Sequence, residues 1–88
     1  MSEFMVQHQP EQQSFVLAWQ GQEARLDYQF RPAQGELPAV VNFTHTYVPP
    51  QFRGQGLAEQ LVRAGLSWAR QQDYQIVASC SYVAKFLR

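Results

Sequence analysis

The 88-residue chain has few charged side chains, one cysteine and no long apolar run. Charged residues make up 16% of the chain, and seven basic residues balance seven acidic ones. Domains that bind nucleic acid through its phosphates usually carry a basic excess, so we expect no nucleic-acid partner. No apolar stretch approaches the roughly 20 residues of a membrane helix, so we expect no membrane association. Because 45% of the residues are hydrophobic, the composition predicts one folded domain over residues 1–88.

The single cysteine, Cys80, excludes a disulfide within the chain. No cysteine and histidine cluster has the spacing of a zinc site, so no metal is predicted. The first residues lack a basic region followed by an apolar stretch, so we expect no signal peptide. Together these features predict a cytoplasmic protein in a reducing environment, either a monomer or a weak dimer.

The first half of the chain has the period of β-strands. Residues 24–30 alternate apolar and polar side chains, as expected for a half-buried antiparallel strand. Gly21-Gln22 precedes this segment and predicts a tight hairpin turn. Further strands are predicted over residues 4–8, 14–20, 39–48 and 75–80.

The period changes after Pro49-Pro50, which end the β pairing because neither has an N–H to donate. Apolar residues then form one helical stripe between Leu57 and Ala69. Gly65 lies on this stripe and is expected to allow a close approach of helix to sheet. A short helix is predicted after residue 80. The predicted order is β-β-β-β-α-β-α, an α+β fold in which a mostly antiparallel sheet of four or five strands packs on one long helix.

The segment Gln51-x-x-Gly54-x-Gly56 lies between the last of these strands and the long helix. A helix leaves its first N–H groups unpaired, and its dipole places partial positive charge there. Glycines allow close approach of a backbone to a ligand, and Arg53 adds a full charge. This predicts a phosphate or pyrophosphate site. A nucleotide P-loop is excluded because no lysine follows Gly56, and a dinucleotide-binding turn is excluded because Glu59 replaces its third glycine.

The same segment resembles the Q/R-x-x-G-x-G/A loop of Gcn5-related N-acetyltransferases (GNAT proteins). The resemblance extends to Thr44-His45-Thr46-x-Val48-Pro49-Pro50 and to Cys80-Ser81-Tyr82-Val83-Ala84, and it is closest to very small GNAT-like proteins without the usual first two helices. It implies acetyl-CoA as co-substrate, an unknown amine as acceptor, and pyrophosphate binding by a group of loop residues. These residues are Arg53, Gly54, Gln55, Gly56, Leu57 and Ala58.

The resemblance also implies roles at the end of the fourth strand. Tyr47 and Val48 would bind pantetheine and the acetyl carbonyl where this strand splays from its neighbour. Tyr47 stands where an acidic residue is expected, so no carboxylate base is predicted there. His45, placed by strand period on the face of Phe43 and Tyr47, is either a packed core residue or a base that takes a proton from the amine.

Cys80 has two interpretations. A helix N-terminus after it would lower the pKa of its thiol, and the thiolate could accept the acetyl group covalently. Buried cysteines are also common as inert core residues. Tyr82 is a further candidate, as the acid that protonates the departing thiolate. His8 is predicted to be structural, and Trp19, Phe43 and Trp68 are predicted to lie in the core.

Three functions stay open at this point. The first is an acetyl-CoA-dependent N-acetyltransferase. The second is a non-catalytic coenzyme A or acyl-CoA binder, acting as a sensor or interaction module. The third is a small interaction domain without a coenzyme site. Acidic residues are scarce near the loop in sequence, which gives no argument for a polycationic acceptor.

Overall fold

The computed structural model describes residues 5–19, 21–50, 54 and 56–87. In this part of the chain the elements follow the predicted order. They are β1 (Val6–Gln9), β2 (Ser14–Trp19), β3 (Gln22–Arg31), β4 (Val40–Tyr47), α1 (Leu57–Gln71), β5 (Gln75–Ala78) and α2 (Ser81–Ala84). Single turns of 3-10 helix follow β1 and α2, at Pro10–Gln12 and Lys85–Leu87.

The five strands form one sheet in the order β1-β2-β3-β4-β5. The first three pairings are antiparallel, and β4 and β5 are parallel. A parallel pair needs a crossover connection, which α1 supplies while covering one face of the sheet. The predicted α+β architecture is confirmed. β5 is shorter than predicted, because the N–H groups of Ser79 and Cys80 both donate to the carbonyl of Phe43 and the chain then turns into α2.

Gly65 is the point of closest approach between α1 and the sheet. A Cβ atom at this position would lie 2.9 Å from Leu26 Cδ2 and 2.9 Å from Phe43 Cε1, closer than real Cβ contacts. Both neighbours are fully buried, so neither can move aside at low cost. The predicted role of Gly65 is confirmed. α1 lies this close to the sheet because the glycine has no side chain.

His8 anchors the edge strand β1 to the core. Its Nε2 atom lies 2.7 Å from the hydroxyl of Tyr28. Its ring stacks on Phe15 at 4.1 Å between centroids and meets Trp68 edge-on at 4.6 Å. The structural role predicted for His8 is confirmed, as are the core positions of Phe43, which is buried, and Trp68, which packs against the core from its margin. The predicted core position of the Trp19 side chain falls outside what the structure describes.

A β-bulge in β4 divides the strand into two parts. Tyr28 pairs with Phe43 but Asp27 pairs with His45, so Thr44 is an extra residue. An extra residue reverses the faces of all residues beyond it. Phe43 therefore faces α1, whereas His45 and Tyr47 face away from it. The prediction that His45 shares a face with Phe43 was wrong, because strand period alone does not reveal a bulge. We call the face opposite α1 the outer face; around the end of β4 it carries Ala18, Glu23, Arg25, Asp27, His45 and Tyr47, and further along β3 it carries Arg31.

Replacing Gly65 with valine should destabilise the domain by roughly 1–3 kcal/mol, the usual cost of overpacking a core. Chemical denaturation measures the free energy of unfolding. Ser67→Val is the control, since Ser67 is exposed on the same helix and the substitution also introduces a β-branched side chain there. Equal losses in the two variants would contradict the proposed close contact.

The protein should lose thermal stability as the pH falls below about 6.5. Burial lowers the pKa of His8 below its ordinary value of 6.5, so the unfolded chain binds the proton more readily than the folded one. The contribution of a neutral His8 is present above the unfolded pKa and is lost below it. Melting temperatures of the wild type and His8→Phe across this range test the point. The drop should shrink in His8→Phe and persist in His45→Gln, where the substituted side chain is exposed.

Candidate functional site

The loop before α1 is built on two glycines in the left-handed region. Gly54 has φ 83° and Gly56 has φ 75°, a conformation that side-chain-bearing residues rarely adopt. A Cβ atom at either position would meet nothing within 4 Å. The backbone conformation, rather than crowding within the protein, is therefore what requires glycine here. Arg53 and Gln55, predicted to bind the cofactor, lie outside the described residues.

The front of α1 presents backbone donors. Gly56 is the N-cap, and among the described residues no side-chain hydrogen bond caps the helix. The N–H of Gln60 donates to the carbonyl of Gly56 at 3.1 Å and makes the first bond of the helix. The N–H groups of Leu57, Ala58 and Glu59 precede this bond and so have no partner within the helix. Leu57 is 1% exposed, so only its backbone can serve a ligand. These donors and the helix dipole fit an anionic group such as a diphosphate.

β4 and β5 separate beside this loop. Their pairing runs from Val40 with Gln75 to Phe43 with Ala78. The carbonyl of Phe43 then accepts from both Ser79 and Cys80 at 3.1 Å. Past this point β4 stays paired with β3 as far as Tyr47, and among the described residues no strand pairs with its other edge there. The two strands therefore separate at the end of β4, while binding of the cofactor by Tyr47 and Val48 stays a prediction.

Cys80 occupies the gap where the two strands part. Its Sγ lies 3.5 Å from the hydroxyl oxygen of Thr46, and the residue is the N-cap of α2. Burial by itself would raise the pKa of the thiol. Hydrogen bonds from the Thr46 hydroxyl and from the N–H groups of Val83, Tyr82 and Thr46 outweigh burial, so the pKa of Cys80 is lowered. A lowered thiol pKa raises the thiolate fraction near neutral pH.

His45 and Cys80 lie on opposite sides of β4. Thr46 pairs with Leu26, a core residue, and thus faces α1 together with the Cys80 thiol it contacts. His45 pairs with Asp27 and lies exposed on the outer face. The structure places both predicted catalytic residues beside the same short stretch of β4, but it does not bring them together.

Tyr82 lies in α2 and is half-buried. Burial, with the carboxylate of Glu59 as a second cause, raises the pKa of Tyr82 above its ordinary value of 10.0. The raised pKa keeps the hydroxyl of Tyr82 protonated at neutral pH, and its role as the acid that protonates the departing thiolate stays a prediction.

No group of three or more His, Cys, Asp or Glu side chains in residues 5–19, 21–50, 54 and 56–87 is arranged to hold a metal ion. Over the same ranges, none of the helices combines the length and the apolar character needed to cross a membrane.

Sequence reasoning missed Thr46 and Asp27. Thr46 stands inside the Thr44-His45-Thr46 motif, whose second threonine was the available signal for a contact with Cys80. Nothing in the sequence near Asp27 pointed to His45, because their pairing depends on the strand register and on the bulge.

Replacing Thr46 with valine should raise the pKa of the Cys80 thiol, because a hydroxyl donor to the sulfur is removed. Alkylation by iodoacetamide should slow at neutral pH, and the midpoint of its pH–rate profile should move upward. Thr46→Ser keeps the hydroxyl and serves as the control. An unchanged profile in Thr46→Val would show that the backbone donors alone set the pKa.

Known proteins resemble this chain in sequence and in fold. A sequence profile described as GCN5-related N-acetyl-transferase matches residues 14–88. Protein NATD1 of Bos taurus is 35% identical over 49 residues, and Protein NATD1 of Gallus gallus is 33% identical over 49 residues. Each alignment covers 56% of this chain but only 43% and 44% of the respective relative, so the matched segment spans less than half of these proteins.

A solved structure shares the fold. The crystal structure of an acetyltransferase from Trypanosoma brucei superposes with a TM-score of 0.58 and 26% sequence identity. The superposition covers 77% of this chain and 51% of that one. The profile match extends over most of the sequence. Membership of one family explains the glycine loop, the separation of β4 from β5 and the order of the sheet. The chain belongs to the GCN5-related N-acetyltransferase family.

Proposed function

We propose that this protein is an acetyl-CoA-dependent N-acetyltransferase. The observation that carries the proposal is the left-handed Gly54-x-Gly56 turn, which leads into the uncapped N-terminus of α1 beside the gap between β4 and β5. The N–H groups of Leu57 and Ala58 would hold the diphosphate of the coenzyme. Membership of the family supports this use of the loop. Cytoplasmic location is part of the same proposal.

The unpaired edge of β4 would hold the acetyl end of the ligand. The N–H of Thr46 donates to the Cys80 sulfur and so is directed towards β5. Alternation along an extended chain directs the N–H of Val48 to the same side. This donor is suited to the acetyl carbonyl oxygen, where it would stabilise negative charge that develops during transfer. The Tyr47 side chain would form the adjoining wall on the outer face.

Acetyl-CoA would supply an acetyl group activated as a thioester. In transfer, the amine nitrogen bonds to the carbonyl carbon, the carbon–sulfur bond breaks, and its electron pair leaves with the sulfur. His45, exposed on the outer face, would take the proton that the amine loses. Cys80 lies on the α1 side, where its thiolate could take the acetyl group first and pass it on.

Coenzyme A binding without catalysis is the second candidate, favoured by one observation. In the described residues the buried side chains of α1 and α2 belong to the core cluster, on the face of the sheet opposite the outer face. An acceptor would therefore meet an exposed surface instead of an enclosed pocket. Substitution of both His45 and Cys80 distinguishes the two candidate functions, since a protein that only binds coenzyme A would keep its biological effect without these side chains.

Gly56→Ala should weaken coenzyme A binding strongly, because alanine resists the left-handed conformation that positions the first N–H groups of α1. Calorimetric titration and the ligand-induced rise in melting temperature measure the effect; saturation at 100 times Kd corresponds to about 2.7 kcal/mol of stabilisation. Gly35→Ala is the matched control, since Gly35 also has a positive φ, 55°, in open space but lies in the β3–β4 loop. If wild-type protein shows neither heat nor a thermal shift with coenzyme A, the loop is only a turn and the third function, a small interaction domain, remains.

Intact mass after exposure to acetyl-CoA tests the covalent role of Cys80. The relay predicts a gain of one acetyl group that disappears in Cys80→Ala. Direct transfer predicts no gain, together with amine acetylation that survives in Cys80→Ala and falls in His45→Gln. Amine acetylation is measured as the release of free thiol from acetyl-CoA in the presence of a panel of amines.

A further inference from the structure

We propose that Asn42 is a positioning residue of the cofactor site, because its side chain holds the end of β5 and thereby sets the gap between β4 and β5. The proposal deepens the proposed acetyltransferase function and rests on it, since the pantetheine arm of acetyl-CoA would lie in this gap. The side chain of Asn42 makes two hydrogen bonds to Ser79. Its Nδ2 atom donates to the Ser79 hydroxyl at 3.0 Å, and its Oδ1 atom accepts from the Ser79 N–H at 3.1 Å.

The chain turns away from β4 between Ser79 and Cys80. Successive N–H groups of a strand point to opposite edges, so a regular strand would direct only the first of these two N–H groups at β4. In this structure both N–H groups donate to the carbonyl of Phe43 at 3.1 Å. The N–H of Ser79, the first of the two, is shared with the Asn42 side chain. The Asn42 contact is therefore located at the turn itself.

Asn42 connects an interior strand to a short strand at the end of the sheet. It pairs with Gln29 of β3 on one side and with Val77 of β5 on the other. β5 has four residues and is the last strand in the sheet order. So short a strand has few ladder hydrogen bonds. Two further bonds from one side chain are therefore a large part of what fixes its end.

The position of Ser79 determines the position of Cys80. The N–H of Cys80 donates to Phe43, and its sulfur lies 3.5 Å from the Thr46 hydroxyl oxygen. Cys80 is also the N-cap of α2. Because one peptide bond joins Ser79 to Cys80, movement of Ser79 would disturb both contacts and the start of α2. Loss of the Asn42 side chain should therefore change the thiol and the gap without touching the N-terminus of α1.

The first measurement is the reactivity of Cys80, the only cysteine of the chain, in Asn42→Ala. Alkylation by iodoacetamide at neutral pH should slow about two- to tenfold, the scale of an exposed hydrogen bond, and the midpoint of the pH–rate profile should move upward. Ser79→Ala keeps the N–H bond to Asn42 and should have a smaller effect. The effects should not add in the double variant, because the two side chains act on the same contact. Gln29→Ala is the matched control, an exposed amide paired with Asn42.

The second measurement compares two ligands by calorimetric titration. Coenzyme A reaches the gap through its pantetheine arm, whereas 3′-phospho-ADP carries the diphosphate without that arm. Asn42→Ala should raise the Kd of coenzyme A about two- to tenfold and leave the Kd of 3′-phospho-ADP unchanged. General damage to the fold would instead lower the melting temperature and weaken both ligands together.

The role of Asn42 is overturned if the alkylation profile is unchanged in Asn42→Ala, or if the two ligands respond alike, whether both weaken or neither does. The acetyltransferase proposal survives that result when the wild type binds coenzyme A and acetylates an amine. If the wild type binds neither ligand, the acetyltransferase proposal is overturned together with the gap as a cofactor site. The alkylation profile then decides whether Asn42 positions Cys80.

Discussion

In the part of the chain that the structure describes, β4 has a hydrogen-bonded strand on both sides only as far as Phe43. Beyond that residue β3 continues alongside it, while β5 turns away into α2. Both amides that would have extended β5 are already used by the carbonyl of Phe43. The free edge of β4, the position of Cys80 and the direction of the loop into α1 all follow from this asymmetry. An exposed strand edge is normally a liability in a small protein, and here it lies near the N-terminus of α1, whose N-cap is Gly56.

The bulge at Thr44 changes which side chains of β4 lie on each face of the sheet. Before it, β4 contributes Phe43 to the core beneath α1; after it, the side that faces α1 carries Thr46 and the outer face carries His45 and Tyr47. On the side that faces α1, the Thr46 hydroxyl helps to lower the pKa of the Cys80 thiol. On the outer face, the imidazole of His45 is exposed. Bulges are common next to functional sites because one extra residue redirects every side chain that follows. The separation of His45 from Cys80 is a direct consequence.

The core holds this arrangement in place. Gly65 allows α1 to lie against Leu26 and Phe43 without an intervening side chain, which fixes the helix relative to the end of β4. At the other end of the helix, Trp68 packs with His8 and Phe15 and ties the edge strand to the sheet. A domain of this size buries a limited apolar surface. The close contact at Gly65 and the aromatic cluster around Trp68 are therefore important for its packing.

The sequence by itself determined the element order, the amphipathic helix, the close contact at Gly65 and the glycine loop, because each depends on local period or on the conformational freedom of glycine. It also located Cys80 and His45 as residues of interest. Only the tertiary structure decided which face each one occupies, that Thr46 contacts the thiol, and that Glu23 and Asp27 lie beside the motif. Those facts depend on strand register and on a single extra residue in β4, and pairing between distant segments leaves no periodic trace in a sequence.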